Sequence, residues 1–499
     1  MPPLAAADRR GDGPRPGHGG SGKLTTSRPH TRLHAGTPAR ARLDAAELHE
    51  LVRDVRRLPE GERPWCAGAV VLAGRGPVVA VEQAAGWAVR YAGYDAAADR
   101  GVELPRRAWE PMRTGTVFDL ASLTKLCTAI VAVQQMERGV LEAGRPVAAY
   151  VPEFAAAGKG GVTVRQLLTH TSGLRPELPF HERPGRTARL AMLWDEEPVA
   201  APGSGRCYSD LNMIALQVVL ERITGEGLDA LVRSGITGPL GMTATGFRPV
   251  GTGPGGTGPG GTGPGGTGPG GTGPGGKGPG GTGPAGSGDG GSGDGPAEVS
   301  GDGPAGVAGS AGGGVPSDGT AGAPRPAGVA GVPGRAGVAA TEDQRRPWAK
   351  ADRGMLRGEV HDENAWAFGG VAGHAGLFST AWDLAVLCRA LLNAGTYEGT
   401  RILAPASVDL LLAPPGLGFE VDQPWFMGEL AGRGAAGHTG FTGTSLVLDR
   451  ATDSFLVLLA NTVHPRRRPA DSVPRATAAT RLARAVRAAD DRDAAAGGV

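Results

Sequence analysis

From Gly251 the chain repeats Thr-Gly-Pro-Gly-Gly with a period of five, through Thr252, Thr257, Thr262, Thr267 and Thr272. Lys277 replaces one threonine, the pattern decays after Pro284, and Gly/Pro/Ala-rich sequence continues toward Ala340. Such a segment has almost nothing to bury, so folding cannot offset its loss of conformational entropy. The period also excludes a collagen triple helix, which needs glycine at every third position. The expectation is a disordered insertion over residues 250–345. As a flexible coil of about 95 residues its free ends would lie roughly 50–60 Å apart. Loop-closure cost grows only logarithmically with length, so the segment can leave and re-enter one domain without strain.

Two motifs around the repeat carry no site. Gly271-Thr-Gly-Pro-Gly-Gly276-Lys277-Gly278 resembles a phosphate loop, but Gly278 stands where Ser or Thr is required, and no strand precedes it. The Ser-Gly-Asp-Gly copies around Asp289 and Asp294 are too few to build a coil of calcium ligands. Outside the insertion, residues 1–43 read as a disordered leader rich in Gly, Pro, Arg and Ser, and residues 491–499 as a disordered tail. Residues 44–249 and 346–490 then form the two parts of one domain of about 350 residues.

A net charge of +2 gives no reason to expect a nucleic-acid partner. No apolar run approaches the roughly 18 residues of a membrane span, so no integral membrane segment is expected. No signal peptide is seen, which implies a cytoplasmic protein, with export open if the start is misassigned. Arg466-Arg467-Arg468, beside Pro465 and Pro469, reads as a solvated loop. Cys66, Cys127, Cys207 and Cys388 are far apart, so free, mostly buried thiols are expected, with no metal site and no cofactor. The oligomeric state is not written in the sequence.

Apolar periodicity predicts a helix near Asp44–Arg57, with Leu48, Leu51, Val52 and Val55 on its buried face. Strands are predicted at Cys66–Leu72 and Val78–Val81, and helices at Val164–Leu168 and Leu211–Thr224. After the insertion come a helix at Trp382–Asn393, paired strands at Thr444–Leu448 and Phe455–Ala460, and a final helix at Thr477–Ala489. Strands at both chain ends with helices between imply an α+β fold, an antiparallel sheet flanked by helices plus a helical lobe.

The chemistry concentrates at Ser122-Leu123-Thr124-Lys125. The run from Asp119 reads as a buried helix, capped by Asp119 and stopped at Gly139. Ser122 would lie in its first turn, where unpaired N–H groups and the helix dipole favour an oxyanion. Lys125 shares a face with Ser122. Burial and the helix terminus are expected to lower its pKa, as a lysine base requires. The bland alternative is a buried helix with a back-bonded hydroxyl and a snorkelling lysine.

Four further segments accompany this one: Leu167-Leu-Thr-His-Thr-Ser-Gly-Leu174, Tyr208-Ser209-Asp210 after Pro202-Gly203, Gly369-Gly-Val-Ala-Gly-His-Ala-Gly-Leu-Phe-Ser-Thr380, and Gly437-His438-Thr439-Gly440-Phe441. Together they resemble the serine β-lactamase and penicillin-binding protein superfamily, in its class C β-lactamase-like branch of serine hydrolases. That resemblance implies the β-lactamase/transpeptidase-like fold, with the active site between sheet and helical lobe. It implies Ser122 as the acyl-accepting nucleophile, Lys125 as the group easing its deprotonation, and Tyr208 as a proton relay. It also places His438, Thr439 and Gly440 at a substrate-binding edge strand, with the Phe441 N–H as second oxyanion donor beside that of Ser122.

Two residues depart from the pattern. Asp210 replaces the usual Asn and adds a negative charge near Lys125, which would raise the lysine pKa. His438 replaces the usual Lys, so recognition there is expected to be neutral or to depend on pH near 6–7. His170 reads as a buried turn histidine. His361-Asp362-Glu363-Asn364 and the His374 segment resemble a subgroup that includes muropeptide amidases, and a structural loop fits them equally well. Trp425 and Phe426 either line a cleft or cover a core edge. The leading expectation is a metal-free serine hydrolase acting through an acyl-enzyme on a small-molecule or peptide substrate. Peptidoglycan-derived peptides, D-amino-acid peptides and small esters are the candidates. A β-lactamase proper, a non-catalytic penicillin-binding or sensor module, and a tethering role for the insertion are the alternatives.

Overall fold

The computed structural model describes residues 32–247 and 337–497. Its centre is a sheet built from both ends of the chain. The strands are β1 (His34–Ala35), β2 (Gly68–Arg75), β3 (Val78–Val89), β4 (Glu420–Val421), β5 (Ala436–Thr439), β6 (Ser445–Asp449) and β7 (Ser454–Ala460). They lie in the order β1-β3-β2-β7-β6-β5-β4, and Glu110–Pro111 also pairs with β3. β1 runs parallel to β3, and every other neighbour on that path is antiparallel.

Successive side chains of a strand point to opposite faces. Val70 and Leu72 of β2 enter one core cluster while Val71 and Ala73 enter another. Both faces are therefore covered, which is why these strands read as continuous apolar runs. One face packs on α1 (Ala45–Arg57) and on the last helix, through Leu48, Leu51, Leu482 and Val486. The other packs on the helical lobe, centred on α2 (Thr124–Glu137) and α3 (Asp210–Thr224), together with α4 (Ala381–Leu392). The last helix, α5, spans Val473–Gly497. Residues Thr124 to Gln135 of α2 are all buried, as expected of a helix enclosed on every side. Among the described residues, no helix is long and apolar enough to cross a membrane.

The structure moves three expected boundaries. Leu33, Ala41 and Leu43, assigned to a disordered leader, are buried, and β1 pairs with β3. The strand Ala340–Gln344, assigned to the insertion, is buried along its whole length and pairs with Gly354–Arg357. The tail continues α5 to Gly497, with Asp493 paired to Arg42 and Arg492 to Asp44. In each case the burying partner is far away in sequence, beyond the reach of local composition. Residues 1–31, 248–336 and 498–499, which hold the rest of those assignments and the whole five-residue repeat, lie outside the described residues.

The basic run is corrected as well. Arg467 is not solvated: its guanidinium is paired with Glu342 at 2.7 Å and Glu363 at 2.5 Å. Arg466 packs over the Tyr94 ring, and only Arg468 is exposed.

Candidate active site

Ser122 lies in a tight turn, Ala121–Leu123, directly ahead of α2. Asp119 does not cap that helix. It sits in the short strand Phe118–Asp119, and its Oδ1 accepts the Ala121 N–H at 2.9 Å while Oδ2 accepts the His361 N–H at 2.6 Å. The first bond holds Ala121 at a φ of +47°, a left-handed conformation costing on the order of 1–2 kcal/mol for a residue with a Cβ. The nucleophile is thus presented by a strained turn locked from behind, and α2 takes over one residue after that turn ends.

Lys125 is completely buried. Its Nζ lies 2.8 Å from Ser122 Oγ, 2.8 Å from Asp210 Oδ1, 3.3 Å from the His374 carbonyl oxygen and 4.8 Å from the centre of the Tyr208 ring. Burial opposes its charge, but the carboxylate of Asp210 and the Tyr208 oxygen outweigh burial and raise its pKa. The expected lowering is therefore overturned, and the resting lysine is an ammonium. Burial also pushes the Tyr208 phenol above its ordinary value. The Lys125 charge and Ser122 oppose that rise without reversing it.

The Tyr208 ring is flanked by His170, with ring centres 4.8 Å apart, and by His438, 5.9 Å away. His170 sits in a buried turn, where its Nδ1 accepts from the Ser209 N–H and from Asn212 Nδ2, each at 3.1 Å. Burial holds it well below the ordinary histidine range. His438, on β5, donates from Nδ1 to the Thr439 carbonyl at 2.6 Å, and burial pushes it down to about 3. Burial favours the neutral imidazole at position 438 over one that titrates near pH 6–7.

Beyond β5 the chain passes under the nucleophile. Gly440 has no room for a Cβ, which would strike the Leu120 carbonyl and Thr444 Oγ1. Thr442 Oγ1 donates to the Asp119 carbonyl at 2.7 Å, and Thr444 Oγ1 to that of Leu120 at 3.0 Å. These bonds tie the strand end to the backbone just before Ser122. The Phe441 N–H has no protein acceptor among the described residues, and its ring stacks on His361, 5.6 Å between centres.

A cleft of about 580 Å³ opens over these groups, with Ser122, Tyr208, His438 and Phe441 on one side and Trp65 and Trp425 on its walls. Of the aromatic pair considered from sequence, Trp425 lines the cleft and Phe426 belongs to the core. Asp210, Asp362 and His374 bring one ligand-type atom each within 4.8 Å of one another, but the Lys125 ammonium already stands against Asp210 and supplies the positive charge there. They are not read as metal ligands.

Sequence reasoning missed two features. One is the His374 carbonyl, which accepts from Lys125 across the insertion. The other is Arg475, buried at the cleft near the start of α5, whose Nη2 donates to the Gly440 carbonyl at 3.1 Å. No local pattern marks either, since a glycine-rich loop and a helix-terminal arginine are common and only the tertiary fold brings them to Ser122.

The sequence model of the Beta-lactamase family matches residues 52–315 and 325–480. The chain belongs to the Beta-lactamase family. Like the relatives it matches, it is a β-lactamase-related serine hydrolase. A protein of Escherichia coli K12 named "Putative D-alanyl-D-alanine carboxypeptidase" is 28% identical over 380 residues, covering 70% of each chain. The N-acetylmuramyl-L-alanine amidase of Bacillus subtilis is 26% identical over 390 residues, covering 73% of this chain and 72% of its own. A penicillin-binding protein homologue from Caulobacter crescentus shares the fold, with a TM-score of 0.54 at 19% identity, over 90% of this chain and 98% of that one.

Proposed function

We propose that this Beta-lactamase family hydrolase cleaves an amide in peptides that end in D-amino acids, through an acyl-enzyme on Ser122. The observation that carries the reading is the 2.8 Å hydrogen bond between a fully buried lysine and a cleft-facing serine. Ser122 Oγ attacks the carbonyl carbon, and its proton passes to the Lys125–Tyr208 pair once that pair has lost one proton. The negative charge on the carbonyl oxygen is met by the N–H groups of Ser122 and Phe441. Collapse expels the amine, which takes the proton back, and water then attacks the ester to release the acid and restore Ser122.

Arg475 supports a peptide with a free carboxylate. It lines the cleft, is buried, and its hydrogen-bond partners are the oxygens of Gly440, Asp471 and Ser472, with no ion pair to a carboxylate among the described residues. A buried cation without its own anion is costly unless a ligand supplies one. The name of the Escherichia coli relative points the same way, toward a D-alanyl-D-alanine bond, whereas the Bacillus subtilis relative is named for the N-acetylmuramyl-L-alanine bond at the other end of such peptides.

The test is intact mass after incubation with a penicillin, beside release of D-alanine from a peptide ending in D-Ala-D-Ala. The expected result is a penicilloyl adduct and D-alanine release with wild type and neither with Ser122→Ala. Equal behaviour of the two proteins would remove Ser122 from the chemistry.

A further inference from the structure

Behind Lys125 lies a second set of charged groups that the acylation steps above do not use. Asp362 and His374 stand on the chain after the insertion. Asp362 Oδ1 accepts the Ala365 N–H at 2.7 Å, capping the short helix Glu363–Ala367, and lies 2.9 Å from His374 Nε2. His374 is 1% exposed, and its backbone carbonyl accepts from Lys125 Nζ. The same side chain and backbone therefore join Asp362 to Lys125. The loop is pinned from both sides, because the Gly373 carbonyl accepts from Thr128 Oγ1 at 2.8 Å and its N–H donates to Gln217 Oε1 at 2.9 Å. A Cβ at Gly373 would strike the Met213 carbonyl.

A helix cap alone does not explain a charged Asp362. An asparagine would accept the Ala365 N–H equally well. Burial opposes the Asp362 charge, yet His374 and the Ala365 N–H keep the carboxyl ionised, well below the usual range. This half-buried carboxylate stands within 4.8 Å of the Asp210 group that holds Lys125. A second carboxylate that close to Asp210 adds to the negative field which Asp210 presents to the ammonium, and so strengthens its grip on the proton. Facing Lys125 are Asp210 and Tyr208, with His170 and His438 held neutral. Facing Asp362 are His374 and His361, with Asp119, Glu363 and Arg353 around them.

We propose that Asp362 and His374 are positioning residues that act through Asp210 to set how tightly Lys125 holds its proton, and so the pH at which Ser122 becomes reactive. The inference rests on the reading of Ser122 and Lys125 as the reacting pair. The pair reaches the attacking state only after losing a proton, so any negative charge near Lys125 moves that event to higher pH.

The experiment is the pH profile of kcat/KM for p-nitrophenyl acetate with wild type, Asp362→Asn and Asp362→Glu. Asp362→Asn removes one negative charge and keeps the cap. Its rising limb is expected to move to lower pH by on the order of one unit, and Asp362→Glu to bring it back toward the wild-type position. Thermal melting of each variant confirms that it is folded. A limb that stays at the wild-type pH in Asp362→Asn, with only kcat reduced, would overturn the proposal and leave Asp362 as a cap. The rate of Ser122 labelling by a fluorophosphonate, measured over the same pH range, carries the same comparison without turnover. Labelling that shifts with Asp362 while no substrate is cleaved would sustain this inference against a failed hydrolase assignment. No labelling of Ser122 at any pH would overturn both.

Discussion

His438 occupies the position where the resemblance predicts a lysine, and the substitution removes a charge from the cleft. Burial pushes its pKa from 6.5 down to about 3. The sign of the consequence follows from linkage. Between those values the unfolded chain binds a proton that the folded chain refuses, so stability falls as pH drops below 6.5. From pH 7 to pH 5 this one residue should cost about 2 kcal/mol. Chemical denaturation at the two pH values should therefore show wild type losing about 2 kcal/mol more than His438→Gln. Equal losses would mean that His438 is accessible enough to titrate normally. The neighbouring lysine shows why residue chemistry was only half legible. The sequence supplied Ser122, Lys125, Tyr208 and the unusual Asp210, and both opposing influences on Lys125 were already visible. Their sum was not, because it turns on a 2.8 Å separation between Lys125 and Asp210 that no spacing rule provides.

The element that most directly controls the site is the end of β5, whose register against β6 pairs His438 with Leu446 and Thr439 with Ser445. That register delivers Gly440 against Leu120 and leaves the Phe441 N–H without an acceptor among the described residues, in the cleft that Ser122 also lines. Gly440→Ala forces the strand end away from the nucleophile turn and carries the Phe441 N–H with it. Since loss of one oxyanion donor costs roughly 10²–10³ in kcat, we expect a fall of about that size, together with a lower melting temperature, because the added Cβ also breaks into the Thr444–Leu120 bond. A variant with wild-type kcat would place the second donor elsewhere. Elements with strong local periodicity, such as α1, α3, α4 and the β6–β7 pair, were legible in the sequence to within a few residues of their observed bounds. The start of α2 was not. Asp119 bonds to His361, which follows the insertion, so the turn that presents Ser122 is set by a contact 242 residues away.

At the scale of the whole molecule, the two described ends of the insertion meet the same small sheet. Gly246–Phe247 pairs with Leu377–Phe378, the strand Leu377–Ser379 pairs with Phe118–Asp119, and Val117 bridges Val338. The ends are therefore about three strand spacings apart, roughly 15 Å. A linker of about eight Gly and Ser residues reaches that far easily. Replacing residues 248–336 by such a linker should leave melting temperature and Ser122 labelling close to wild type, because the shorter loop lowers the closure cost. Extending the deletion through residue 345 should behave differently. It removes the buried strand Ala340–Gln344, including Glu342, which is paired with Arg467 and His361, and Thr341, whose carbonyl holds His464 Nδ1 at 2.9 Å. Arg467 would then lie half-buried with Glu363 as its remaining close anion, and a broken buried pair costs about 3–5 kcal/mol. The expected result is a folded, reactive protein for the first deletion and an unfolded or strongly destabilised one for the second, read by circular dichroism and by fluorophosphonate labelling. Loss of fold in the first would show that residues 248–336 contribute contacts of their own.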